Sequence, residues 1–123
     1  MLENIALDVL EAVLNTLPVE VTFINVNDEV VYFNKNGDRI FPRPRSVIGH
    51  KVQQCHSQKS LQKVTAILEA FKHGTREVAE FWTTRKGRQI YIRYFSVKDN
   101  TGKYRGTLEV SQDITDIKKI EDE

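Results

Sequence analysis

The run from Tyr104 to Ile117, YRGTLEVSQDITDI, changes its hydrophobic period partway along. Up to Gln112, Thr, Leu and Val alternate with polar neighbours, which suits a strand because β-branched side chains pack well on a pleated surface. After Asp113 the apolar residues Ile114, Ile117 and Ile120 recur every third position among Asp, Lys and Glu, as one stripe of a helix requires. The chain is therefore expected to leave a sheet and enter a polar helix over 116–123. Such an exit serves a module that passes a mechanical change onward and does little for a self-contained enzyme.

A chain of 123 residues is expected to form one domain around one core. Its 18 basic and 17 acidic residues nearly cancel, so neither nucleic acid nor an anionic membrane is an expected partner. No stretch of about 18 apolar residues is present, and LENIALDVLEAVL carries acids where a signal peptide is basic, so a cytoplasmic domain is expected. The single cysteine, Cys55, has no partner for an internal disulfide, which suits a reducing compartment. No Ser–His–Asp set, glycine-rich phosphate loop or paired carboxylates can be assembled, and the chain is not read as an enzyme.

At the N-terminus, Leu2, Ile5, Ala6, Val9, Leu10, Val13, Leu14 and Leu17 fall on one stripe of a helix over 1–17. That stripe can cap the domain's own core or pair with its twin in a homodimer. Val19 to Val26, Asn27-Asp28 and Glu29 to Asn34 read as a hairpin with a two-residue turn. Lys35 to Arg45 is broken by Gly37, Pro42 and Pro44 into short helical turns, and Ser46 to Gly49 reads as another. A longer helix runs from Ser57 or Ser60 to His73, with Leu61, Val64, Ile67, Leu68 and Phe71 on its buried stripe and Gly74 closing it. Lys59, Gln62 and Lys63 lie off that stripe, on an expected solvated face. Three strands follow: Arg76 to Arg85, Arg88 to Val97 and Tyr104 to Gln112. The order of elements predicts an α+β fold, one sheet with helices on one face.

Leu17-Pro18 leading into VEVTFINVNDEVVYFN, the turn SVIGHKV before the long helix, and the strand ending Asp113-Ile114-Thr115 together resemble a PAS domain over 18–115. The run SVIGHKVQQCHSQKS is most similar to the PAS module at the C-terminal end of bacterial proteins that also carry a hemerythrin-like domain. The resemblance implies a five-stranded antiparallel sheet in the order 2-1-5-4-3, with Thr107 to Gln112 central and a cavity between the sheet and the segment Lys35 to His73. It implies a sensory, signal-transducing domain that binds a small ligand or cofactor there, or alternatively a ligand-free interaction and dimerisation module within a longer protein. Asp113, Ile114 and Thr115 would be the signal exit.

His50, Cys55 and His56 are the densest cluster of ligating side chains. By the resemblance His56 is the candidate ligand for haem b iron; the plain alternative makes Cys55 a small buried hydrophobe and both histidines loop residues. A zinc site does not fit adjacent Cys55 and His56, whose side chains point apart. A flavin is disfavoured, because the photosensor's reactive-cysteine run is absent and Ser111 stands where that family places a glutamine. The resemblance turns Ile90, Ile92 and Tyr94 toward the cavity beside Thr107, Glu109 and Ser111, whereas hydrophobicity alone prefers Leu108 and Val110 inward. An inward Glu109 needs a partner. Trp82 and Phe81 are neighbours, so one faces inward under either parity. Arg85, Lys86 and Arg88 around Gly87 read as a solvated hairpin tip.

Overall fold

The computed structural model describes residues 1–122, and of Cys55 only the backbone. A helix α1 (Leu7–Thr16) precedes strands β1 (Glu20–Ile24) and β2 (Val30–Phe33). An irregular segment then leads to helix α2 (Gln58–Lys72), followed by β3 (Val78–Arg85), β4 (Arg88–Lys98) and β5 (Tyr104–Asp113). The sheet is antiparallel with order β2-β1-β5-β4-β3, so β5 is hydrogen-bonded on both sides, to β1 and to β4. Among the described residues no helix is long and apolar enough to cross a membrane.

Local chemistry sets the turns. Lys86 and Gly87 both have positive φ (51° and 75°), the two-residue hairpin geometry whose twist matches the flanking strands. Between β4 and β5, Asp99 Oδ1 accepts from the amides of Thr101 and Lys103, closing the loop by side chain. The first hairpin departs from the expected two-residue turn. Its loop takes in residues 25–29 because Asn25 Oδ1 accepts from the amides of Asn27 and Glu29, and Asp28 takes φ 64°.

Helix α2 buries Val64, Ile67, Leu68 and Phe71 against the sheet. Val64 and Leu68 pack with Ile24, Val30, Phe33 and Val52; Ile67 and Phe71 pack with Ala79 and Tyr94. At its end, Lys72 Nζ lies 2.8 Å from Asp28 Oδ1, pinning α2 to the first hairpin. On β5, Gly106 (φ 144°) lies so close to β1 that a Cβ there would fall 2.3 Å from the Ile24 carbonyl oxygen and 2.7 Å from the Phe23 ring.

Three expectations are corrected. The N-terminal stripe is not one helix: Leu2–Asn4 form a 3-10 turn, Ile5 and Ala6 are extended, and α1 starts at Leu7. Starting there puts Asp8 in the first turn, where a carboxylate meets the positive end of the helix. The helix expected over 116–123 is, among the described residues, a single 3-10 turn at Ile117–Lys119. A helix this short is marginal unless its apolar side is packed, and Ile117 and Ile120 remain exposed. Finally, the stretch after Ile48 is not only helical turns. The Val30 amide donates to the His50 carbonyl, Gly49 N donates to the Val30 carbonyl, and Glu29 bridges to Lys51, so 49–52 runs along the outer edge of β2.

Candidate functional site

The inward parity follows from contacts rather than from hydrophobicity. Tyr94 is packed against α2, and its hydroxyl donates to Glu109 Oε2 at 3.0 Å, so Tyr94 and Glu109 share the face that α2 covers. Thr107, Glu109 and Ser111 are all buried there, while Leu108 is only half-buried on the other face. Burying Glu109 is tolerated because Tyr94 and Arg43 both meet its carboxylate, and the Tyr104 hydroxyl meets Thr107. Arg43 comes from the irregular segment 35–57, whose glycines and prolines break any long helix and let it fold inward.

Two arginines of that segment enter the interior. Arg43 Nη2 lies 2.7 Å from Glu109 Oε1, both side chains 9% exposed, and Arg43 Nε donates to Thr22 Oγ1. Arg39 reaches Glu20 at 3.6 Å, Thr22 Oγ1 at 3.3 Å and the Asn34 carbonyl at 2.7 Å. The Glu20 carboxylate also accepts from the amides of Ile40 and Phe41, which fixes the loop carrying both arginines. Burial pushes the Arg39 guanidinium down from its ordinary pKa, against the pull of Glu20. Burial, reinforced by the Glu109 carboxylate, pushes the Tyr94 phenol up, so it stays a hydrogen-bond donor at any physiological pH.

Above this floor lies a pocket of about 620 Å³ between the sheet and α2. Its lining includes Phe41, Arg43, His56, Ser60, Lys63, Val64, Phe81, Trp82, Arg85, Ile92, Tyr94 and Glu109. Phe81 is the inward member of its pair, edge-on to Tyr94 with centroids 6.2 Å apart, whereas Trp82 is 74% exposed at the rim. Lys63 Nζ sits 4.3 Å from the centre of the Phe81 ring, and the Arg85 guanidinium 5.2 Å from that of Phe41. Lys63 and Arg85 thus belong to the pocket mouth rather than to a purely solvated face and hairpin tip.

Of the residues singled out from sequence, His56, Trp82, Ile92, Tyr94 and Glu109 line this pocket. Ile90 and Ser111 are buried in the sheet without lining it. His50 is exposed and engages β2 through its carbonyl, so it does not join His56. The Cys55 side chain lies outside the described residues, and among those described no three His, Cys, Asp or Glu side chains cluster as a metal site. Arg43 and Phe41 are site residues that sequence reasoning passed over, and Lys63 and Arg85 are ones it assigned to solvent. The available signal was three arginines, Arg39, Arg43 and Arg45, in a segment that could not be helix.

Haem would need both an iron ligand and an apolar slot from these walls. His56 Nδ1 lies 3.0 Å from the Val52 carbonyl; in the tautomer that donates there, Nε2 is left as an acceptor, a usable arrangement for one ligand. The rest does not suit a porphyrin. Its apolar face would lie against the Arg43–Glu109 pair and the Tyr94 hydroxyl, whose burial is tolerable only while they bind each other. The residues present do not fit haem.

At the far end of β5 the exit is clamped to the start of β4. Arg88 Nε lies 2.7 Å from Asp113 Oδ2, Asp113 Oδ1 accepts from the Thr115 amide, and Thr115 Oγ1 accepts from Gln89 N at 2.8 Å. The Ile114 amide donates to the Gln89 carbonyl. Hydrogen bonds from Arg88 and Thr115 hold the Asp113 carboxyl down, at about 2.

A five-stranded antiparallel sheet whose central strand carries a pocket floor at its middle and a clamped exit at its end defines a small α+β module of the PAS type. The sequence profile of the PAS domain matches residues 10–115, and the chain belongs to the PAS domain family. The C-terminal domain of a Streptococcus mutans protein is 31% identical, with a TM-score of 0.87 over 95% of this chain and 91% of that one. The PAS domain of BvgS from Bordetella pertussis is 16% identical with a TM-score of 0.65, over 89% of this chain and 86% of its own. A sensory box sensor histidine kinase from Vibrio cholerae is 11% identical with a TM-score of 0.61, over 87% and 90%. These last two share the fold. No curated protein matches the chain.

Proposed function

We propose that the domain is a cytoplasmic sensor in which a small molecule enters the pocket above Glu109 and alters the Arg43–Glu109–Tyr94 bridge. The change would then pass along β5 to Asp113, Ile114 and Thr115. The observation that carries this reading is that one strand holds both the pocket's buried carboxylate and, four residues on, the clamped exit aspartate. A displacement of Glu109 therefore acts on the exit through the shortest covalent path the fold offers. The run SVIGHKVQQCHSQKS and the C-terminal position of the Streptococcus mutans relative support a place at the C-terminal end of a longer bacterial protein with a hemerythrin-like domain.

The test is a native mass spectrum and an absorption spectrum of the purified protein, followed by hydrogen exchange with and without whatever is retained. A retained small molecule, no Soret band, and altered exchange at residues 113–115 are the expected results. A Soret band abolished by His56→Ala would restore haem, and exchange at 113–115 indifferent to the ligand would remove the transmission step.

A second reading, homodimerisation through the N-terminal helix, is favoured by the apolar surface α1 leaves uncovered one turn apart: Val9 is 48% exposed and Val13 47%. The helix is held by its polar groups instead, with Asn34 Nδ2 donating to the Leu14 carbonyl and Lys35 N to Asn15 Oδ1. A second copy would cover that stripe.

A further inference from the structure

The pocket's charge is unbalanced. Its lining holds the cations Arg43, Lys63 and Arg85 but one carboxylate, Glu109, and that carboxylate is taken by Arg43. Among the described residues neither Lys63 nor Arg85 has a carboxylate partner; each rests on an aromatic ring, Phe81 and Phe41 respectively. A cation poised over a ring keeps its position without being neutralised, since the ring supplies no net charge. The same two rings, with Val64 and Ile92, make the walls between the cations and the floor apolar. A charged mouth over apolar walls selects for amphipathic anions.

We infer that the pocket takes a small organic acid, its carboxylate held by Lys63 and Arg85 and its aromatic or aliphatic body lying against Phe41, Phe81 and Ile92. This rests on the pocket being the ligand site proposed above, and narrows it to one chemical class. The carboxylate offsets one of the two unpaired positive charges at the mouth, and the body reaches down to the Arg43–Glu109–Tyr94 floor. The body covers the apolar surface that half-buried Phe41 and Phe81 leave open in the pocket. Glu109 then acts as a competitor within the site, because its hold on Arg43 keeps a third cation from the ligand. Removing that carboxylate is therefore expected to strengthen acid binding.

The experiment is a titration of the isotope-labelled protein, followed by amide chemical shifts, with phenylacetate, with its neutral isostere phenylacetamide, and with inorganic phosphate. Phenylacetate is expected to shift the amides of Val64, Ile92 and Glu109, at least ten-fold more tightly than phenylacetamide or phosphate. Lys63→Gln with Arg85→Gln, both at exposed positions that leave the core intact, should abolish the difference between acid and amide. Glu109→Gln, checked for retained fold by circular dichroism, should tighten phenylacetate several-fold, an effect that a merely structural Glu109 would not produce.

Equal binding of acid and amide overturns the inference while leaving the pocket a ligand site. Phosphate binding as tightly as phenylacetate overturns the organic body. If no probe binds and the native mass spectrum shows no retained molecule, both the inference and the sensor reading fall.

Discussion

Glu109 is 7% exposed between a guanidinium and a phenol, and its loss would leave Arg43 with Thr22 as its remaining partner. Glu109→Gln is expected to lower stability by about 1–3 kcal/mol, the cost of weakening a charge-assisted buried hydrogen bond, read from denaturant midpoints. Asp113 tests the exit by titration. Its carboxyl is held at about 2 against an ordinary 3.8, so the charged form is favoured in the fold. The contribution of the clamp is then present above about pH 4 and is lost as pH falls through 2. The carbon-13 shift of the Asp113 carboxyl should titrate near 2, and Arg88→Ala should return it toward the usual aspartate range. Tyr94 gives the opposite sign: with its phenol pushed up, stability should fall as pH rises past the ordinary 10, as the unfolded chain loses a proton the fold retains. At this scale the sequence was a partial guide. That Glu109 needs a partner if inward followed from the cost of burying a carboxylate, but that the partner is Arg43 did not, since sixty-six positions separate them.

Elements were more legible. Helix α2 was readable from the three-and-four spacing of its apolar residues and from Gly74 beyond its end, and Phe71→Ala there is expected to cost about 3–5 kcal/mol in thermal or denaturant unfolding. The β3–β4 hairpin was readable from Lys86-Gly87. Strand parity was not, because both faces of β5 carry buried residues, Val110 at 8% on one side and Glu109 at 7% on the other. Local alternation cannot rank two faces when each is covered; the tie is broken by long-range contacts, Tyr94 against α2 and Arg43 on Glu109. Gly106 shows how close the central strands lie. Gly106→Ala is expected to destabilise by about 1–3 kcal/mol or more, because the new Cβ meets rigid backbone at Ile24 rather than a side chain that can yield. Wild-type-like unfolding of that variant would show that β1 and β5 can part.

For the whole molecule, the order of elements pointed only to an α+β sheet; the strand order was anticipated through the PAS resemblance carried by short motifs such as Asp113-Ile114-Thr115, and the sheet has that order. The pocket chemistry was hidden because its members come from an irregular segment, a helix flank and a hairpin tip, three places where periodicity carries no information. Dimerisation belongs at this scale too. If α1 pairs with a second copy, Val9→Glu combined with Val13→Glu should convert a concentration-dependent dimer to monomer in sedimentation equilibrium without loss of secondary structure. A sedimentation profile that is monomeric before the substitution would dispose of that reading.

The backbone run beside β2 has a further consequence for how these molecules can stack. Val30 has its amide and carbonyl already bonded to the stretch 49–50, so a foreign strand finds that border partly taken. A border whose backbone groups are already engaged offers less to an incoming strand, which disfavours edge-to-edge growth from that side.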